Sequence, residues 1–315
     1  MNKSIVTFVL LIVAVSAHAK TSIYGEANTR VYFEFNEVGS ALHVDGDLTE
    51  FGYKGEQAIS EQDQASFNIL LGVDALGEWA PVLKQGSLSL KGNYGEVVAF
   101  YDHSPVAATS HYYKLMNNDP DSLALLFGYR NSSLTPKGVV KVDGLSYQSP
   151  LIEDKITLNA ALIPAETIAG GTGISFAGRF EQGVVDLSLG FEVNVEQANS
   201  QLFRVIGEYD AGNLQLGGHL QMSSNSDNDY SSRSLAGFVK LPLKFSQLET
   251  NNRIMLGYNT ETDPADEATD QLYISFLQEI PWNTKVSSYS FVQVLMDNDL
   301  DSMTTWGGGG IKIGF

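Results

Sequence analysis

Hydrophobic and polar residues alternate with a period of two over most of the chain. Ile23, Gly25, Ala27, Thr29, Val31, Phe33 and Phe35 fall on one face of an extended segment, and Glu26, Asn28, Arg30 and Glu34 on the other. Ala65, Phe67, Ile69, Leu71 and Val73 alternate with Ser66, Asn68, Leu70 and Gly72. The same rhythm runs through Val185–Glu196 and Leu214–Met222. Side chains of a strand point alternately to opposite faces, so each segment predicts a strand with one apolar and one polar face. No long stretch has the 3.6-residue period of a helix. Gly, Asn and Asp clusters at 45–47, 210–213, 225–229 and 297–299 read as reversals, because these residues tolerate the backbone angles of tight turns. Residues 259–270 read as a longer acidic connection. No Pro-rich or Ser-rich linker divides the chain.

Two architectures accommodate many alternating strands, a soluble sandwich or solenoid and a closed barrel. The N-terminus bears on the choice. Lys3, the apolar run Ile5–Val15 and Ala17-His18-Ala19 form the three parts of a secretory signal peptide, with cleavage after Ala19. Residues 1–19 are then an address and 20–315 the working domain. The 315 residues carry a formal net charge of −18, which repels phosphate backbones and argues against nucleic acid as a partner. The chain has no cysteine, which excludes disulfides and thiolate metal sites. Its near-neutral mean hydropathy excludes a bundle of membrane helices but suits a membrane barrel, in which the two faces average out.

The C-terminal strand ends on Ile311, Ile313 and Phe315, all on one face. A terminal Phe closing an alternating strand resembles the signature of bacterial outer-membrane barrels. Ile23-Tyr24-Gly25, the stretch from Glu50 to Glu56, the stretch from Ser89 to Gly95, Ser104-Pro105, and the stretch from Asp143 to Pro150 resemble, in order and spacing, successive segments of the Gram-negative general porins. The resemblance is closest in residues 20–150 and the last dozen. It implies an all-β fold, a 16-stranded transmembrane antiparallel barrel, usually a homotrimer, in the bacterial outer membrane beside lipopolysaccharide. It also implies that Phe315 is read by the barrel-insertion machinery. A chain of this length allows roughly 18 residues per strand and turn, enough for spanning strands of about 9–11 residues.

In the family the third connection folds into the lumen and sets acids against a basic wall. Here that connection is about Ser104 to Lys141. It holds Asp119 and Asp121 beside Pro120, together with Lys114, Arg130 and Lys137. The family's wall cations map onto Glu50, onto Lys84 or Gln85, and onto Tyr101, so the wall is poorer in cations than the usual pattern. Arg30, Lys54 and Lys91 compensate if they point inward. The expected function is passive diffusion of small hydrophilic solutes and ions, with cation preference, no cofactor and no metal. The Asp297-x-Asp299-x-Asp301 pattern lacks the Gly and Glu that complete a calcium loop. Tyr24, Tyr53, Trp79, Tyr101, Trp282 and Trp306 fit interfacial aromatic girdles.

Two other functions compete. A sugar-type channel would use Tyr112, Tyr113, Phe127 and Tyr129 as an aromatic slide. An outer-membrane enzyme would need a nucleophile and a base. Asp102-His103-Ser104 are sequence neighbours, which is not how such a triad is assembled, and there is no Gly-x-Ser-x-Gly elbow.

Overall fold

The computed structural model describes residues 20–45, 49–73, 81–109, 141–164, 171–195, 198–227, 229–245, 248–262, 268–297 and 302–315. The strands are β1 (Lys20–Asn36), β2 (Gly39–Asp45), β3 (Thr49–Ala58), β4 (Gln64–Val73), β5 (Val82–Gly92), β6 (Gly95–His103), β7 (Lys141–Gln148), β8 (Ile156–Ile163) and β9 (Gly173–Gln182). They continue with β10 (Val185–Val193), β11 (Ser200–Asp210), β12 (Gln215–Asn225), β13 (Tyr230–Phe245), β14 (Leu248–Thr262), β15 (Ala268–Pro281), β16 (Val286–Asp297) and β17 (Ser302–Gly314). One helical turn, α1 (Pro105–Ala108), follows β6.

All strand pairs are antiparallel between neighbours, and β17 pairs with β1 from Thr305 to Gly314, which closes the sheet. The residues of β2 face Arg30–Asn36 of β1, while those of β3 face Lys20–Glu26. These two segments therefore form one interrupted stave, and the described segments build a closed 16-stranded barrel. The reversal expected at 45–47 does not occur. Both flanking segments run antiparallel to β1, so the chain keeps its direction across the interruption. The connection expected over 259–270 is also shorter than its composition suggests. Pairing of Asn259 with Gln271 and of Thr262 with Ala268 extends both strands into it.

Alternation decides which medium each side chain meets. Phe33, Leu42, Leu162, Ile174, Leu189, Leu235, Leu256, Val292 and Ile311 all point outward and are exposed. Asn28, Ser188, His219, Gln221, Ser234, Asn259 and Gln293 point inward and are buried. A protein folding in water does the reverse. Apolar exteriors and hydrogen-bonded, edge-free walls are what a hydrocarbon surround demands. The fold is therefore a transmembrane β-barrel. Phe67 is an outward exception at 2% exposure, its ring lying over the Gly55 backbone and 5.2 Å from that of Tyr53.

Both termini lie at one end of the barrel, here called the terminal end. The longest connection, residues 104–140, leaves from the opposite end.

Candidate functional site

Strand β6 carries the chain to His103, and the connection after it turns into the barrel. Ser104 caps the turn, its Oγ accepting from the Ala107 N–H at 3.1 Å, and Pro105 fills the first helical position. Both residue types favour a helix start: one satisfies an orphan donor, and the other lacks a donor and has φ preset. Val106 and Ala107 are 0% and 1% exposed, and Val106 packs against Ala177 of β9 and Leu202 of β11. The approach depends on Gly190 of β10. A Cβ there would lie 2.7 and 2.8 Å from the Val106 methyl carbons.

A buried polar network fastens this turn to the wall. The Val106 N–H donates to Ser175 Oγ at 3.2 Å, and Ser175 Oγ donates to Glu192 Oε1 at 2.9 Å. The Ser104 hydroxyl donates to the same carboxylate oxygen. From β11, Arg204 Nη1 donates to the Val106 carbonyl at 3.1 Å, while its Nε and Nη2 donate to Gln221 Oε1 at 2.8 and 2.5 Å. Glu192 and Arg204 are diagonal neighbours across β10 and β11, because Arg204 faces Gly190. All five wall and turn side chains are buried. Burying such groups is costly unless their bonds are made, so the network holds the root of the long connection in one place.

The wall from β1 to β6 is also polar. Tyr24 donates to Asn68 Oδ1 at 2.5 Å, with Lys54 Nζ 5.1 Å from the Tyr24 ring centroid. Gln85 donates to Asp102 Oδ1 at 3.0 Å. Glu26 and Glu50 oppose each other across β1 and β3, and Lys312 Nζ lies 2.8 Å from Glu26 Oε2. Arg30 lies 4.9 Å over the Tyr32 ring and is 5% exposed.

The register places Arg30, Glu50, Lys54 and Lys91 in the inward set. A bulge between Leu70 and Leu71 makes Lys84 the extra residue, and its chain fills the room left by Gly72. Lys84 and Gln85 therefore both reach the lumen, because a bulge interrupts the period of two. Tyr101 does not reach it. Phe100 packs inward over Gly144 and Asp102 bonds to Gln85, so Tyr101 between them points outward, opposite Gly86. Asp119, Asp121 and Arg130 lie outside the described residues, as do Lys114, Lys137 and the aromatic set Tyr112, Tyr113, Phe127 and Tyr129. The described part of the connection brings together Ser104, Ser175, Glu192, Arg204 and Gln221, which alternation alone did not single out. One signal was available. The inward faces of β8 and β11 carry Ala161, Ile163, Leu202 and Ile206, apolar residues on a water-facing side, and such residues mark where something docks.

A closed 16-stranded barrel with an apolar exterior and a polar lumen, into which the first turn of the third connection docks, is a fold shared with solved outer-membrane porins. No family model matches the sequence, and no curated protein is similar to it in sequence. Solved structures are similar in fold. The anion-selective porin from Comamonas acidovorans superposes with a TM-score of 0.72 at 16% identity, covering 95% of this chain and 100% of that one. OmpF of Salmonella typhi, in complex with daunomycin, gives 0.70 at 12% identity over 95% of this chain and 99% of that one. OmpT, an outer membrane protein of Vibrio cholerae in a trimer form, gives 0.68 at 10% identity over 94% and 99%.

Proposed function

We propose that this chain is an outer-membrane porin of the general type, a water-filled channel for passive diffusion of small hydrophilic solutes and ions. The observation that carries this reading is the docking of Val106 on the lumen wall of an inside-out barrel. A barrel of about 16 strands leaves an aqueous passage, and a segment fastened to its inner wall narrows that passage without sealing it. On this reading residues 1–19 are removed on export, Phe315 is the signal for membrane insertion, and three copies assemble beside lipopolysaccharide. The chain acts without chemistry, as neither an enzyme nor a cofactor carrier.

Cation preference follows from the charge distribution. The net charge is −18, and on the lumen wall Glu26, which pairs with Lys312, opposes Glu50, while Asp102 also points inward. Carboxylates lining a narrow passage raise the local cation concentration and repel anions. Asp119 and Asp121, placed in the connection, add to this effect. The test is conductance of the purified protein in a planar bilayer under a salt gradient. Large ohmic steps in groups of three, with a cation-biased reversal potential, are expected. Absence of current from folded protein would reject the channel, and an anion-biased potential would reject the selectivity.

A further inference from the structure

The lumen wall where β16, β17, β1 and β2 meet carries a cluster of rings that general diffusion does not use. Trp306, grouped above with the interfacial aromatics, points inward instead, as the Cα partner of Glu34 on one side and of buried Gln293 on the other. It packs with Tyr32 against the buried cluster of Leu277, Tyr289 and Phe291. Gly308 lies between Tyr32 and Phe291 in register and lets their rings approach to 6.2 Å. The Tyr32 ring is occupied, since His43 stacks on it at 4.7 Å and Arg30 lies 4.9 Å from its centroid. Trp306 differs. It is half-buried and, among the described residues, has no stacked ring, no cation over its face and no hydrogen bond from its indole N–H.

Glu34 stands beside it. Its Oε1 accepts from Asn36 Nδ2 at 3.0 Å and its Oε2 lies 3.3 Å from His43 Nε2, with no Lys or Arg in contact among the described residues. The Glu34 side chain is 28% exposed, and its partner on β2 is Ala41, too small to cover it. Side chains directly opposed on one face stand about 4.5–5.5 Å apart at Cβ. An open indole and an uncompensated carboxylate therefore share one reachable patch, toward the mouth opposite the terminal end.

We propose that Trp306 and Glu34 form a lumenal subsite for an organic ammonium ion with methyl groups on its nitrogen. The proposal rests on the channel reading above and gives its cation preference a solute class. A carboxylate attracts any cation, but a hydrated metal ion gains little from the indole. A methylated ammonium combines a diffuse charge with an apolar surface, so the ring quadrupole attracts it as well as the carboxylate, and Trp offers the strongest such face. A neutral sugar would use the ring and the N–H but leave the carboxylate charge unanswered.

The test is a titration of single channels in dilute KCl with choline chloride, added to each side in turn. Saturable reduction of the current is expected, stronger from the side opposite the terminal end, and absent with dimethylbutanol, the uncharged isostere of choline. Trp306→Leu and Glu34→Gln should each weaken the apparent affinity about three-fold or more, and Trp306→Phe, which keeps a ring face, should weaken it less. Glu34→Gln serves alone if Trp306→Leu does not fold. A linear effect of choline, or one unchanged in the variants, overturns the subsite. Equal block by dimethylbutanol or by glucose overturns the ammonium assignment. Failure of the channel reading would show as no KCl current. Trp306 is one of three tryptophans, so the emission of folded, detergent-solubilised W79F/W282F protein then still reports on it alone. The subsite is overturned if choline produces no saturable change in that emission, or one that Glu34→Gln does not weaken.

Discussion

The Arg204 guanidinium donates to the carbonyl of Val106 at 3.1 Å, tying strand β11 to a turn that lies 98 residues earlier in the chain. Its other nitrogens are taken up by Gln221, so its charge is spread over two acceptors in a site closed to water. Arg204→Met removes donors from both acceptors and leaves them buried. A loss of about 2–3 kcal/mol at the turn is expected. Open-channel recordings should show a larger mean conductance and more current noise, because the inward segment is no longer held at its root. Unchanged conductance and noise in a correctly folded variant would falsify the tether.

Gly190 supplies the space that Val106 occupies. Gly190→Ala places a methyl 2.7 Å from Val106 Cγ1, and overpacking of this kind costs about 1–3 kcal/mol. At Gly207 of the neighbouring strand a Cβ would meet only Leu187 Cδ1 at 3.8 Å, an ordinary contact. Thermal unfolding should therefore separate the two alanine variants, with Gly190→Ala destabilised and Gly207→Ala within about 0.5 kcal/mol of the parent.

Ser104 and Ser175 donate to one oxygen of Glu192. Groups that share a buried partner do not act independently. A double-mutant cycle of Ser104→Ala and Ser175→Ala should yield a coupling energy of about 0.5–3 kcal/mol. Additive losses would mean that the carboxylate oxygen does not join them.

Phe315 closes the seam through two backbone bonds. Its N–H donates to Gly25 O at 3.0 Å, and the Gly25 N–H donates to Phe315 O at 3.3 Å. Its ring covers Gly25, where any Cβ would collide with it. The insertion-signal reading predicts that deleting Phe315 lowers the amount of barrel assembled in the outer membrane severalfold, as read by heat-modifiable gel mobility of membrane fractions. Refolding into detergent should suffer less, since only one pair of seam bonds is lost.

The mass of the protein isolated from outer membranes tests the leader. Cleavage after Ala19 predicts a mature chain beginning at Lys20, where β1 also begins. A chain retaining Met1–Ala19 would contradict it.

The alternation of residues 23–35, 65–73, 185–195 and 214–222 specified strands and the two media they separate, because side-chain direction in a strand is a local property of period two. The outward exposure of Phe33, Leu189 and Ile311 and the burial of Asn28 and Gln221 follow from that pattern once the sheet closes. The same locality explains what the sequence left open. A run such as Asp45-Gly46-Asp47 has turn composition, but only pairing with β1 decides that the chain continues forward there. Lys84 gains the lumen through a bulge, and Tyr101 is turned away from it by its neighbours Phe100 and Asp102. Neither outcome is written in residue type. Ser104, Ser175, Glu192, Arg204 and Gln221 belong to five separate stretches of the chain. By itself the sequence determined an alternating, apolar-faced β-protein with a long connection after residue 103. Tertiary structure alone decided where that connection docks and that Trp306 faces Glu34, because side chains meet across strands through register and barrel closure, which join residues far apart in the chain.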